Sequence, residues 1–112
     1  MTVLGKPPKP TNLEKNPRVT AFAKNDRLNF SIWYRFEGVP HRYYPDFLVK
    51  LINGKTLVLE TKGQDSSQAK AKRAALEEWI TAINCLRDYG KWVCDSSFNI
   101  ADIDGIIAKH TA

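Results

Sequence analysis

Two carboxylates and a lysine sit in the short strings Pro45-Asp46 and Glu60-Thr61-Lys62, which are joined by two apolar runs and the dipeptide Asn53-Gly54. Asn-Gly between apolar runs is a strong hairpin signal, so the three groups belong to one hairpin. Whether they meet depends on register, because alternate strand side chains point to opposite faces and a one-residue slip inverts them all. A two-residue turn at Asn53-Gly54 would pair Ile52 with Lys55 and put Asp46 and Glu60 on opposite faces. A three-residue loop of Ile52, Asn53 and Gly54, with Gly54 left-handed, pairs Leu51 with Lys55 and sets Asp46 opposite Glu60. The second register is the expectation. It also gathers Phe47, Val49, Leu57 and Leu59 on one apolar face, and leaves Leu48, Val58, Asp46, Glu60 and Lys62 on the other.

Directly opposed side chains on one face have Cβ atoms about 5 Å apart, so two carboxylates held there share a proton, repel, or bind a cation. Oxygen donors suit Mg²⁺, with Mn²⁺ as a substitute; Mg²⁺ commonly takes one or two carboxylates and leaves its other positions to water and phosphate. The expected chemistry is metal-assisted hydrolysis of a phosphodiester, with Asp46 and Glu60 as ligands and the Thr61 carbonyl as a further one. Lys62 would orient the nucleophile or stabilise charge in the transition state. Each string alone is commonplace, since Pro-Asp is a frequent turn dipeptide. The plain alternative is a cross-strand Asp/Lys or Glu/Lys surface pair.

With these residues in place the chain resembles the PD-(D/E)xK nucleases of the restriction-endonuclease-like fold. It is most similar to the endonuclease domain at the C-terminal end of the Res subunit of type III restriction enzymes. The likeness runs through Lys24-Asn25-Asp26-Arg27-Leu28, Phe30 to Tyr34, Tyr44-Pro45-Asp46-Phe47, Leu57 to Gly63, Trp79, Ala82-Ile83-Asn84 and Gly90-Lys91-Trp92. It implies Mg²⁺-dependent cleavage of double-stranded DNA with Asp46, Glu60 and Lys62 at the motif positions. A helicase or ATPase motor and a methyltransferase subunit are the implied partners, and Glu14 is an additional acid that could reach the metal. The phosphate loop of such a motor is missing, since Gly5-Lys6 is followed by Pro7-Pro8. The chain therefore reads as an excised domain or a small nuclease of its own. Two alternatives remain: a catalytically silent nuclease-fold module that binds DNA or protein, and a stand-alone structure-selective, resolvase-like nuclease.

The 112 residues, 43% hydrophobic and 26% charged, suit a single core, and 17 basic against 12 acidic residues leave +5. That charge is compatible with nucleic acid. Cys85 and Cys94 lack metal-ligand spacing and read as buried thiols, and His41 and His110 are isolated. No apolar run approaches the roughly 20 residues of a membrane span and no apolar leader is visible, so the cytoplasm is the expected compartment.

The elements that must position the hairpin follow from the rest of the pattern. Residues 1–10, rich in Lys and Pro, read as a flexible segment ahead of a nuclease domain over 11–112. A short helix from Thr11 through Glu14, stopped by Pro17, is followed by a strand over Val19 to Lys24, a turn at Asn25-Asp26, a strand over Phe30 to Phe36 and a loop over Gly38 to His41. Beyond the hairpin, Asp65 and Gln68 form a capping-box signature for a helix to about Asp88. Its apolar stripe is Ala75, Leu76, Trp79, Ile80, Ile83 and Leu86. A strand over Lys91 to Cys94, parallel to the Glu60 strand through that crossover, and a helix near Asp102 to Lys109 complete an α/β (α+β) pattern, a mixed central sheet flanked by helices. Lys72, Lys70 and Arg73, early in the long helix, and Gln64 are candidate DNA contacts. Trp33, Tyr34, Tyr43 and Tyr44 are candidate stacking residues, with core packing favoured for most.

Overall fold

The computed structural model describes residues 11–25, 28–61, 66–99 and 101–112. The expected flexible segment 1–10, Asp26 of the first turn, Lys62, Gln64 and the capping residue Asp65 lie outside them. The order is α1 (Thr11–Glu14), β1 (Val19–Lys24), β2 (Ile32–Phe36), β3 (Val39–Tyr43), β4 (Phe47–Leu51), β5 (Thr56–Thr61), α2 (Ser67–Leu86), β6 (Trp92–Ser97) and α3 (Asp102–Thr111). Strands β1, β4, β5 and β6 form a mixed sheet in that spatial order, and β2 and β3 form a separate two-stranded ribbon.

Strand β5 is central, and its alternation explains the layering. Leu57 and Leu59, fully buried, join Phe47, Val49, Leu51, Val19 and Phe22 beneath Leu13 of α1 and Ile103 and Ile107 of α3. Val58, also fully buried, points the other way, into a layer made by Leu76 and Ile80 of α2 and by Ile32, Tyr34 and Tyr43 of the ribbon. A strand covered on both faces reads as a continuous apolar run, as Leu57-Val58-Leu59 does. Burying each of these side chains contributes about 1.5–3 kcal/mol. The β5–α2–β6 crossover returns β6 parallel to β5, with Glu60 beside Ser96, as the sequence pattern predicts.

Several boundaries differ from expectation for identifiable reasons. The segment expected as a loop over Gly38 to His41 is largely strand β3. A two-residue turn at Glu37-Gly38, with φ of 54° and 79°, pairs Phe36 with Val39. Two positive φ values define the type I′ hairpin turn that matches strand twist, and Glu-Gly is not its usual sequence signature. Pro40 is tolerated because the ribbon has free edges on which its missing N–H costs nothing. Helix α2 is capped one residue later than predicted, by Ser66, whose Oγ accepts from Ala69 N–H at 3.1 Å. Gln68 instead donates to the Tyr34 hydroxyl at 2.7 Å. The helix stops at Leu86, where Arg87 turns left-handed with φ 65°; Leu86 and Cys85, in its last turn, are exposed, not buried. Cys85 and Cys94 are both free thiols. Strand β6 runs on to Ser97, and no helix among the described residues is long and apolar enough to cross a membrane.

Candidate active site

The connection between β4 and β5 is the three-residue loop. Leu51 N–H donates to Lys55 O at 2.9 Å, Gly54 N–H to Leu51 O at 3.0 Å, and Gly54 has φ of 90°. Phe47 opposes Leu59, Leu48 opposes Val58 and Val49 opposes Leu57. Continued by one residue, this register sets Asp46 against Glu60.

The ladder does not run on as regular sheet at that point. In the alternating antiparallel pattern Pro45 and Thr61 would form the next hydrogen-bonded pair. Instead the Asp46 Oδ2 atom accepts from both Thr61 N–H and the Thr61 hydroxyl, each at 2.8 Å. Thr61, whose carbonyl was the expected ligand, is in addition a double donor that fixes one Asp46 oxygen. The Pro45 carbonyl turns to the Asn25 side-chain amide at 2.8 Å, while Asn25 N–H donates to Asp46 O at 2.8 Å. Asn25 is buried, and its amide also donates to Phe30 O at 2.7 Å and accepts from Phe30 N–H at 3.1 Å. This residue was legible only as a turn former, yet it clamps both peptides of Pro45-Asp46.

Glu60 is buried at 7% exposure on the α2 side of the sheet. The Tyr43 phenol on β3 hydrogen-bonds its carboxylate. Burial first, then the charge and hydrogen bond of Glu60, then the charge of Asp46, push the Tyr43 hydroxyl far above the usual phenol range. The phenol therefore stays protonated and donates, and it lies in the field of both acids. Tyr43, expected mainly as core, is buried there and also reaches Glu60, a contact hidden from the sequence because it depends on how β3 packs.

Of the residues singled out as DNA contacts, Lys72 has its ammonium 5.6 Å from the Tyr43 ring centroid, and Gln64 lies outside the described residues. Arg73 lines a cleft with Cys94, Asp95 and Ser96 on the β6 side, and Lys70 is exposed. Glu14 closes α1 and is exposed, while its neighbour Leu13 packs in the opposite core layer from Glu60. Burial first, with Glu77 and Asp95 nearby, pushes the Cys94 thiol up to about 11, which makes it a poor nucleophile at neutral pH.

The donor set fits a hard divalent cation. Asp46 and Glu60 would be opposed if the register ran on by one residue, and no group of three His, Cys, Asp or Glu suited to a metal exists among the described residues. A pair of carboxylates suits Mg²⁺, which leaves its other positions to water and phosphate, whereas structural zinc sites fill four positions with Cys and His. A second polar cluster on the other side of the sheet binds Asp95 to His110 Nε2 at 2.9 Å and Lys109 Nζ at 3.2 Å. It ties α3 to β6. Burial alone would raise the Asp95 pKa, but His110, the Ser96 N–H and Lys109 together hold it below the ordinary value.

No family model, no curated protein and no solved structure matches the chain.

Proposed function

We propose that the chain is a Mg²⁺-dependent endodeoxyribonuclease of the PD-(D/E)xK kind on a restriction-endonuclease-like fold. The observation that carries this reading is the hairpin register, Phe47 opposite Leu59, which continued by one residue sets Asp46 against Glu60. The crossover from β5 through α2 to a parallel β6 supports it as well.

In this function Asp46 and Glu60 hold the cation. Thr61 presets the Asp46 carboxylate through two donors, and Tyr43 presets Glu60 through one, so neither acid reorganises when substrate arrives. Bound Mg²⁺ would supply a more acidic water and neutralise charge on the phosphoryl oxygens. Lys62, one residue beyond Thr61, has the charge to steady the developing negative phosphoryl group, and Lys72 flanks the same rim. The natural substrate is duplex DNA, and the function would be that of a cleavage domain in a type III restriction system or a related helicase-nuclease.

The test is nicking and linearisation of a supercoiled plasmid by the whole chain in Mg²⁺ or Mn²⁺. Asp46→Ala, Glu60→Ala and Lys62→Ala should each lower the rate by about 10²-fold or more, the usual effect of removing one transition-state contact. Cleavage that survives EDTA or the Asp46→Ala change would contradict the assignment. Duplex binding without cutting in either metal would identify a silent module instead.

A further inference from the structure

The β2–β3 ribbon sends one face into the core and leaves the other bare. Ile32, Tyr34 and Tyr43 pack against α2. Alternation puts Trp33 and Arg35 on the outer face, paired across the ribbon with Arg42 and Pro40, and Tyr44 follows at the end of β3. Trp33 is 60% exposed and Tyr44 48%, which core packing does not require. The Arg42 guanidinium lies 5.1 Å from the Trp33 ring centroid and 3.5 Å from the Tyr44 hydroxyl, and Arg35 reaches the Gly38 carbonyl at 3.4 Å. Neither arginine pairs with a carboxylate among the described residues.

We propose that this outer face, Trp33, Arg35, Arg42 and Tyr44, is a DNA-docking surface that grips the backbone of the duplex being cut; the proposal rests on the nuclease reading above. Three observations favour DNA as the occupant. Two guanidiniums without acidic partners complement a polyanion and can each take a phosphate through paired N–H donors. Exposed rings held by an arginine suit stacking on sugars or on unpaired bases, and burying Trp33 against a ligand would use surface now in water. The face is also continuous with the site: at about 3.3 Å per residue, Arg42 is within roughly 13 Å of Asp46, or about four nucleotide steps of 3.4 Å. Two acids lie near the footprint, Glu37 in the turn at the end away from Asp46 and Glu78 of α2, which lines the same groove as Trp33 and Arg35. A second copy of the chain is the poorer fit, because a two-fold contact would set arginine against arginine.

The experiment measures binding of a short fluorescein-labelled duplex to the whole chain by anisotropy, in EDTA, across a series of KCl concentrations. Arg35→Ala/Arg42→Ala should weaken binding about tenfold and reduce the slope of log K against log salt by about 2. The charge-preserving Arg35→Lys/Arg42→Lys variant should keep the slope, and circular dichroism melts confirm that each variant is folded. Unchanged affinity and slope in the folded alanine variant, or no duplex binding by the unaltered chain, would overturn the proposal. So would a dimer that Trp33→Ala converts to monomer with duplex affinity intact. Arginine-dependent binding without metal-dependent cleavage would sink the nuclease reading while the docking surface stands; cleavage with arginine-independent binding would do the reverse.

Discussion

At the scale of single residues, the site depends on groups that are not themselves ligands. Asn25 makes three side-chain hydrogen bonds from a buried position and holds the two peptides that aim Asp46. Asn25→Ala strands two carbonyls and an N–H, and should lower unfolding free energy by about 2–4 kcal/mol in urea titration. Asn25→Asp, which has no amide to donate, should also destabilise. Tyr43→Phe removes the donor that favours ionised Glu60, so protons compete better with the metal and the pH for half-maximal Mn²⁺ binding moves upward. An unmoved profile would mean that Tyr43 only fills space. Asp95, on the neighbouring strand but on the opposite face from Glu60, supplies a control. Its folded pKa is depressed, so its stabilisation is present above the unfolded value of about 3.9 and is lost as pH falls through the folded value. The stability gap between the wild-type chain and Asp95→Asn should therefore be open at pH 7 and close in acid, as followed by thermal melts.

At the scale of elements, legibility tracked how local the determining signal is. The β4–β5 hairpin was readable down to its register, since Asn53-Gly54 and the alternation of Phe47, Val49, Leu57 and Leu59 admit one solution with an unbroken apolar face. The crossover helix and parallel β6 followed from the stripe of Leu76 and Ile80. The ribbon was half missed because Glu37-Gly38 carries a type I′ turn without the usual asparagine, and because Pro40 argues against a strand. Tyr43 was legible as core but not as a neighbour of Glu60, a place that comes entirely from tertiary packing. The clamp made by Asn25 was hidden for the same reason, as was the pairing of Asn84 with both backbone groups of Trp92, at 2.8 and 2.9 Å. The strained turn makes its own prediction: Glu37→Gly, relieving a positive φ of 54° at an exposed position, should stabilise the fold by about 0.5–1 kcal/mol in urea titration.

At the scale of the whole molecule, one sheet separates two core layers, and the acids lie where the β4–β5 pairing ends while β5 remains paired with β6. The α1–α3 layer holds the apolar face, and the α2–ribbon layer carries Tyr43 and Lys72 to the opposite rim. Placing Asp46 and Glu60 at the end of buried strands gives them rigidity from the core, with Asp46 half-buried and Glu60 buried. The overall charge of +5 then favours approach of a polyanion, and cleavage at subsaturating DNA should fall steeply with added salt. The most direct test of the central claim, that Asp46 and Glu60 form one cation site, is calorimetric titration with Mn²⁺ of the unaltered chain, each single alanine variant and the double variant. Saturable binding lost in Asp46→Ala and in Glu60→Ala alike, with the double variant no worse than either, is the predicted result. Saturable binding that survives either substitution, or none in the unaltered chain, would contradict the account.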